Sequence, residues 1–182
     1  MNLPNKITLF RVFLIPVFLV VYMNTFLNGW NGGILATAVF LIASASDAVD
    51  GYIARKYDLI TNFGKLMDPL ADKMLNCAAL VALTAYGLLP AWVSITIICR
   101  EFIITGLRQL AQERGIVIAS SFWAKVKTAC QMVMILFLLI NWPANDLNDV
   151  IKWILIVAAL VFTVISAVEY LYKNRNIFTG YA

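Results

Sequence analysis

Four aspartates in two short segments are the residues of this sequence best suited to chemistry. Asp47 and Asp50 are three residues apart, and Asp68 and Asp72 are four apart. In a helix each of these spacings places both carboxylates on one face. The segment between the pairs is short, so the two helices are expected to be antiparallel neighbours. Because an acidic residue inside a membrane costs about 2.5–3.5 kcal/mol at a helix centre, the four carboxylates need a polar cavity and a shared counter-charge.

A divalent cation is the simplest counter-charge for this aspartate cluster. Carboxylate oxygens favour Mg²⁺ or Mn²⁺ over zinc. Carboxylates that bridge two ions about 3.5–4 Å apart would suit displacement at phosphorus. The same spacing also fits a proton relay or the ion path of a cation transporter. From the spacing alone, both interpretations stay open.

The composition excludes an ordinary water-soluble domain. The chain has 182 residues, of which 62% are hydrophobic and 13% charged, with a mean hydropathy of +0.84. A soluble domain has about 45–50% apolar and about 25% charged residues. The length predicts one domain, residues 1–182. The sequence contains no histidine, which excludes histidine bases and histidine metal ligands.

Six apolar segments are long enough to cross a bilayer, which takes about 20 residues. They are separated by glycine-, proline- and asparagine-containing breaks at 28–33, 87–90 and 141–145 and by charged segments. The predicted spans are residues 8–27, 33–55, 66–86, 90–112, 124–141 and 150–172.

Lysine and arginine predict the orientation of these spans. One side of the membrane carries a single cation, Lys152, in the three loops assigned to it. The positive-inside rule places the other side in the cytoplasm, together with both chain termini. No basic run accompanies the net charge of +4, so no nucleic-acid partner is expected. The cytoplasmic cations are Lys6, Arg11, Arg55, Lys56, Lys65, Lys73, Arg108, Arg114, Lys125, Lys127, Lys173 and Arg175.

The segment that holds the aspartates resembles the signature of the CDP-alcohol phosphatidyltransferases. It reads D-x-x-D-G-x-x-A-R-x8-G-x-x-x-D-x-x-x-D, and the resemblance extends over the whole chain, because the core of that family has six helices. All eight fixed positions are matched, by Asp47, Asp50, Gly51, Ala54, Arg55, Gly64, Asp68 and Asp72.

The resemblance implies an enzyme that joins a CDP-linked lipid to an alcohol and releases CMP. It implies that Asp47, Asp50, Asp68 and Asp72 hold two Mg²⁺ or Mn²⁺ ions and that Asp72 is also the general base. It implies a homodimer in the bacterial cell membrane. Taken alone, Gly51 would be a helix-packing glycine and Arg55 a topology anchor. In the resemblance, the CDP portion contacts Asp47, Gly51, Ala54, Arg55 and Asp68.

Further cations in the second half of the chain favour an anionic acceptor. Arg100 lies near the middle of the fourth predicted span, where charge is expensive and usually functional. Arg108 follows eight residues later, about 80° away round the helix, while Lys125 and Lys127 open the fifth span. Such a cluster suits the phosphate of sn-glycerol 3-phosphate. Two stretches, residues 2–16 and 100–128, also resemble the branch of the family that makes phosphatidylglycerophosphate in bacteria.

Alternatives remain for several of these cations. Lys125 and Lys127 also fit membrane anchoring, and Arg100 also fits a structural ion pair with Glu101 or Glu169. Asn5, Thr8 and Arg11 fit either the nucleotide site or helix-start and anchor roles equally well.

The sequence therefore predicts an all-α integral membrane protein with six transmembrane helices around a polar cavity that faces the cytoplasm. The predicted reaction transfers a phosphatidyl group from CDP-diacylglycerol to glycerol 3-phosphate. Phosphatidylglycerol, inositol phosphate or serine are alternative acceptors, and a cation transporter is the alternative from another class.

Overall fold

Six helices account for almost all of the backbone that the computed structural model describes, which is residues 3–28, 30–56, 62–113, 121–140, 142–143 and 145–173. Side chains are described in the same ranges apart from 3–8, 25–28, 30–32, 47–56, 62–69, 72 and 113. No strand occurs in these ranges. The helices are α1 (Leu3–Asn28), α2 (Trp30–Lys56), α3 (Asn62–Ala85), α4 (Ala91–Glu113), α5 (Phe122–Ile140) and α6 (Asp146–Lys173).

Each of these helices overlaps one of the six apolar segments of the sequence, and the all-α class is confirmed. Within the described residues, α5 and α6 are long and apolar enough to cross a membrane. Shorter apolar stretches lie inside α1, α2 and α3, at Leu9–Asn24, Gly33–Ser46 and Lys73–Ala85. The crossing of the bilayer by all six helices, and a cavity facing the cytoplasm, stay predictions.

The chain divides into two compact units. The first comprises Met1–Leu88 with Leu136–Pro143, and in it α1 packs against α2 and α3. Its core includes a series of aromatic contacts: the ring of Phe18 stacks on Tyr22 with centroids 5.9 Å apart and meets Phe40 at 5.8 Å. Tyr22 also contacts Tyr86 edge to face at 5.3 Å. These ring contacts connect α1 to α2 and to Tyr86, the residue that follows α3.

One glycine of the first unit allows two helices to touch through their backbones. A Cβ atom at Gly33 of α2 would overlap the carbonyl oxygen of Ile140 and lie 2.8 Å from that of Leu139, at the end of α5. The Thr37 hydroxyl donates to the Gly33 carbonyl at 2.8 Å. Only glycine leaves room for this approach.

A second glycine, which is needed for its backbone conformation and not for close packing, follows the end of α3. Gly87 has a φ of +72°, the left-handed conformation that glycine adopts without steric cost. Its N–H donates to the Thr84 carbonyl at 3.0 Å, and the Leu88 N–H donates to the Leu83 carbonyl at 3.0 Å. This pair of bonds is a Schellman motif, which satisfies carbonyls that the helix end leaves without partners.

The second unit comprises Leu89–Ile135 with Ala144–Ala182, and in it α4 packs against α6. α5 is capped by Ser121, whose hydroxyl accepts from the Ala124 N–H at 3.2 Å. α6 is capped by Asn145, whose side-chain oxygen accepts from the Asn148 N–H at 2.8 Å. Such caps fix where each helix begins. They therefore help to set which residues of α5 and α6 fall on each helix face.

Candidate functional site

The four aspartates lie on the two helices that the sequence predicted for them. Asp47 and Asp50 belong to α2, and Asp68 and Asp72 belong to α3. α2 and α3 contact each other in the first unit. The convergence of the carboxylates stays a prediction, because the site side chains of this segment lie outside the described residues. The residues concerned are Asp47, Asp50, Gly51, Ala54, Arg55, Asp68 and Asp72.

The aspartates of α2 continue the register of its buried face. Ala36, Phe40 and Ala43 are buried at steps of four and three residues. The next steps of four and three residues lead to Asp47 and Asp50. Residues at this recurrence share one face of a helix. The helical repeat therefore predicts that both aspartates continue the buried face of α2.

The same relationship holds on α3. Ala71, Leu75 and Ala79 are buried at steps of four. Asp68 lies three residues before Ala71, and Asp72 lies three residues before Leu75. The helical repeat thus predicts that both aspartates extend the buried face of α3. The register of the two helices supports the prediction that the pairs share one region.

Arg11 of α1 is fully buried, with 0% of its surface exposed. One residue separates α1 from α2, so these two contacting helices run antiparallel. Arg11 lies seven residues before Phe18, and Asp47 lies seven residues after Phe40, the ring that Phe18 contacts. At a rise of 1.5 Å per residue both are about 10 Å further along, at the same level. Burial favours an interior role for Arg11 over an anchor at the membrane surface.

The second unit holds a partly buried group of charged residues on α4 and α5, which also contacts α6. At its centre, Oε1 of Glu101 forms an ion pair with the ammonium group of Lys127. The same Oε1 accepts from Nη1 of Arg100 at 3.2 Å. The side chain of Lys127 is 3% exposed and that of Glu101 is 18% exposed. One carboxylate on α4 therefore fixes a cation of its own helix and a cation of α5.

Arg100 also reaches α6. Its Nη2 donates to the hydroxyl of Ser166 at 2.9 Å, and that hydroxyl donates to the Thr163 carbonyl at 3.0 Å. Arg108, two turns further along α4, lies over the ring of Tyr170 with 5.7 Å between the guanidinium carbon and the ring centroid. The later residue of α4, Arg108, contacts the later residue of α6, Tyr170. This order indicates that the two helices run parallel.

Two donors in this group are unsatisfied. The Nε atoms of Arg100 and Arg108 are buried, and neither has a hydrogen-bond partner among the described residues. A buried donor without a partner costs about 1–3 kcal/mol, and more when it is charged. The two guanidinium groups also interact with each other electrostatically. An anionic ligand that accepts from both would relieve both penalties.

Lys125 and Lys127 are close in sequence but differ in their exposure to solvent. Lys127 is buried in the charged group, whereas Lys125 is exposed. Residues two apart in a helix point to opposite faces, and this spacing could have separated them from the sequence alone. The alternative ion pair of Arg100 forms with Glu101, while Glu169 pairs with Lys173 at 2.6 Å.

Sequence reasoning missed the contribution of α6. Thr163, Ser166 and Tyr170 are buried and recur at steps of three and four residues in an apolar helix. That recurrence is the available signal, because polar groups on one face of an apolar helix need polar partners. Which helix supplies those partners depends on tertiary packing.

Comparison with known proteins decides between the two classes left open. The family model described as CDP-alcohol phosphatidyltransferase matches residues 1–165. The chain belongs to this family. The resemblance carried by the aspartate signature is thereby confirmed, as is the prediction of an enzyme. Membership in this family, with two apolar helices of membrane-spanning length, also indicates membrane association.

Relatives within the CDP-alcohol phosphatidyltransferase family align over nearly the whole chain. A Bacillus subtilis protein named CDP-diacylglycerol–glycerol-3-phosphate 3-phosphatidyltransferase is 42% identical, covering 95% of this chain and 95% of its own length. A Haemophilus influenzae protein of the same name is 38% identical, covering 93% and 91%. A third with this name, from Rickettsia felis, is 32% identical and covers 97% of both chains.

Proposed function

We propose that this phosphatidyltransferase uses CDP-diacylglycerol as the donor and sn-glycerol 3-phosphate as the acceptor, and that its products are phosphatidylglycerophosphate and CMP. The observation that carries the choice of acceptor is the partly buried group of Arg100, Arg108 and Lys127, in which two buried guanidinium Nε atoms have no partner among the described residues. A phosphate monoester presents several strong acceptor oxygens to such donors. The names of the relatives at 32–42% identity support the same acceptor.

The aspartates fit a divalent metal site. Their donor set consists of carboxylate oxygens alone, at spacings of three and four residues on two contacting helices, which suits Mg²⁺ or Mn²⁺. When bound, two such ions would neutralise the pyrophosphate and the charge that develops on the leaving CMP. The residues proposed to hold them are Asp47, Asp50, Asp68 and Asp72.

Asp72 is the proposed general base of the transfer. Its carboxylate takes the proton from the 1-hydroxyl of glycerol 3-phosphate, which requires hydrogen-bond reach. The hydroxyl oxygen then forms a bond to the β-phosphorus of CDP-diacylglycerol. The bond between that phosphorus and the oxygen bridging to CMP breaks, so the electron pair leaves with CMP.

The substrate-binding roles divide between the two units of the chain. In the first unit, the proposed CDP contacts are Asp47, Gly51, Ala54, Arg55 and Asp68, which follow the family signature. In the second unit, the acceptor phosphate is bound by Arg100, Arg108 and Lys127, with exposed Lys125 in an outer role. In phosphoryl transfer the protein acts mainly by positioning the reacting groups and by stabilising charge, and each of these two sets of contacts would position one substrate.

The membrane arrangement proposed for this function follows the charge distribution of the sequence. All six helices span the bilayer, and both termini and the active site face the cytoplasm. The acyl chains of the donor extend into the bilayer. The resemblance to the family further implies that residues 1–182 act as one catalytic domain and that two copies form a homodimer.

Release of CMP by purified protein in detergent tests the proposed function. CDP-diacylglycerol and Mg²⁺ are supplied with and without glycerol 3-phosphate, and EDTA is added in a parallel sample. We expect release only with glycerol 3-phosphate and its loss with EDTA. Release with phosphatidylglycerol, inositol phosphate or serine instead would keep the family chemistry and reject this acceptor. No release with any acceptor, from folded protein, would reject the transferase function.

A further inference from the structure

Glu101 has a place in this chain that neither the family signature nor the charge of the acceptor explains. It is an anion in the middle of a group of cations proposed to bind a phosphate. We infer that Glu101 is a positioning residue, which holds Lys127 and Arg100 in the arrangement that receives the acceptor phosphate. The inference rests on the proposed function and names the group that organises its acceptor site.

The geometry of Lys127 supports this role. Its side chain is 3% exposed, and its ammonium group contacts Oε1 of Glu101. A buried ammonium group without a carboxylate either loses its proton or turns toward water. Because the lysine stem has four rotatable bonds, its head group has no fixed position of its own. Glu101 therefore supplies a counter-charge to Lys127 and helps to fix the position of its ammonium group.

Arg100 is held from two sides. Nη1 donates to Oε1 of Glu101 at 3.2 Å, and Nη2 donates to Ser166 at 2.9 Å. Both terminal nitrogens of the planar guanidinium group are thus oriented by the protein. Nε is a further donor of the group, and it is buried with no partner among the described residues. The carboxylate restrains the arginine and leaves that donor for a ligand.

The charge of the group also selects a class of acceptor. Arg100, Arg108 and Lys127 are three cations, and Glu101 is one anion, so two positive charges remain. A phosphate monoester carries a charge of about −1.5 to −2 at pH 7. It neutralises the group, whereas a phosphodiester or a neutral alcohol leaves positive charge buried. Glu101 thereby adjusts the site to a phosphate monoester.

Steady-state kinetics of Glu101→Gln tests the inference. Glutamine keeps the shape of the side chain and removes its charge. Wild-type CMP release that depends on glycerol 3-phosphate is established first in the same assay, so failure of the proposed function is recognised separately. We expect KM for glycerol 3-phosphate to rise about 10-fold to 100-fold, the usual range for a lost hydrogen bond between charged groups. KM for CDP-diacylglycerol and kcat stay within about threefold, because the first unit is unchanged.

Glu169→Gln is the matched control. Glu169 also pairs with a lysine in the second unit, but its partner Lys173 is 64% exposed. This variant keeps the wild-type KM for glycerol 3-phosphate. Glu101→Asp retains the charge on a shorter stem, and its KM is expected to lie between those of wild type and Glu101→Gln.

Lys127→Gln and the double variant Glu101→Gln/Lys127→Gln complete the test. If Glu101 acts mainly through Lys127, the double variant resembles Lys127→Gln to within about threefold. The double variant removes both buried charges, so it stays informative if Glu101→Gln fails to fold. A lower KM in Glu101→Gln would show that Glu101 only repels the phosphate. An unchanged KM, or equal increases for both substrates, would also overturn the inference.

Discussion

The carboxylate of Glu101 on α4 and the ammonium group of Lys127 on α5 form a largely buried ion pair between residues 26 positions apart in the sequence. Both side chains are largely shielded from water. Removal of one member of such a pair costs far more than removal of an exposed pair, because an uncompensated charge remains buried. The pair links two helices of the second unit and sets the position of cations proposed to bind substrate.

The general-base assignment of Asp72 predicts the outcome of Asp72→Asn. Asparagine keeps the shape of the side chain and cannot take the hydroxyl proton. We expect kcat to fall by about 10²-fold to 10⁴-fold, the usual contribution of general base catalysis. CMP release is the measurement, and Asp149→Asn is the control, because Asp149 lies exposed in the first turn of α6. Near-normal turnover in Asp72→Asn would contradict the assignment.

The contrast between Lys127 and Lys125 predicts unequal roles for two lysines of one helix. Lys127→Gln removes a buried cation of the phosphate-binding group, so KM for glycerol 3-phosphate should rise at least about tenfold. Lys125→Gln removes an exposed charge, so KM should change by about threefold or less. The measurement is CMP release at varied glycerol 3-phosphate. Equal effects of the two substitutions would show that burial does not distinguish them.

The backbone contact at Gly33 predicts destabilisation by a single methyl group. A Cβ atom there overlaps the Ile140 carbonyl oxygen, and overpacking of this kind costs about 1–3 kcal/mol. Gly33→Ala should therefore lower the thermal midpoint of the protein in detergent. Gly106→Ala is the matched control on α4, where nothing lies within 4 Å of the added atom. It should stabilise the helix by about 0.5–1 kcal/mol.

The left-handed conformation of Gly87 predicts a second, purely conformational effect. A Cβ atom at Gly87 meets nothing within 4 Å, so Gly87→Ala adds no steric overlap with neighbours. Its cost comes from the φ of +72°, about 1–2 kcal/mol for an L-residue. Gly87→Asn should cost less, because asparagine tolerates this region. Thermal unfolding of both variants measures which one is less stable. If Gly87→Asn is less stable than Gly87→Ala, the size of the side chain and not the backbone conformation causes the loss of stability.

The helical positions of the aspartates could be predicted from their spacing in the sequence. The intervals between Asp47 and Asp50 and between Asp68 and Asp72 follow from helix periodicity, which acts over a few residues. The same is true of the six apolar segments, each of which overlaps an observed helix. The family signature is likewise a property of consecutive residues, and comparison with known proteins confirmed it.

The spacing of residues in the sequence could not predict which residues pair with each cation. Arg100 had two candidate carboxylates, and the structure pairs it with Glu101 and with Ser166. Arg11 had two candidate environments, and the structure buries it. Each outcome depends on which helix faces which.

The sequence by itself determined the helices, the aspartate signature and the family, because these depend on residue types at local intervals. Tertiary structure decided that Lys127 pairs with Glu101 of another helix, and that α6 supplies Ser166 and Tyr170 to the cations of α4. The physical reason is that a buried charge is stable only beside a partner. For the group around Glu101, those partners come from helices far apart in the chain and meet only when the helices pack.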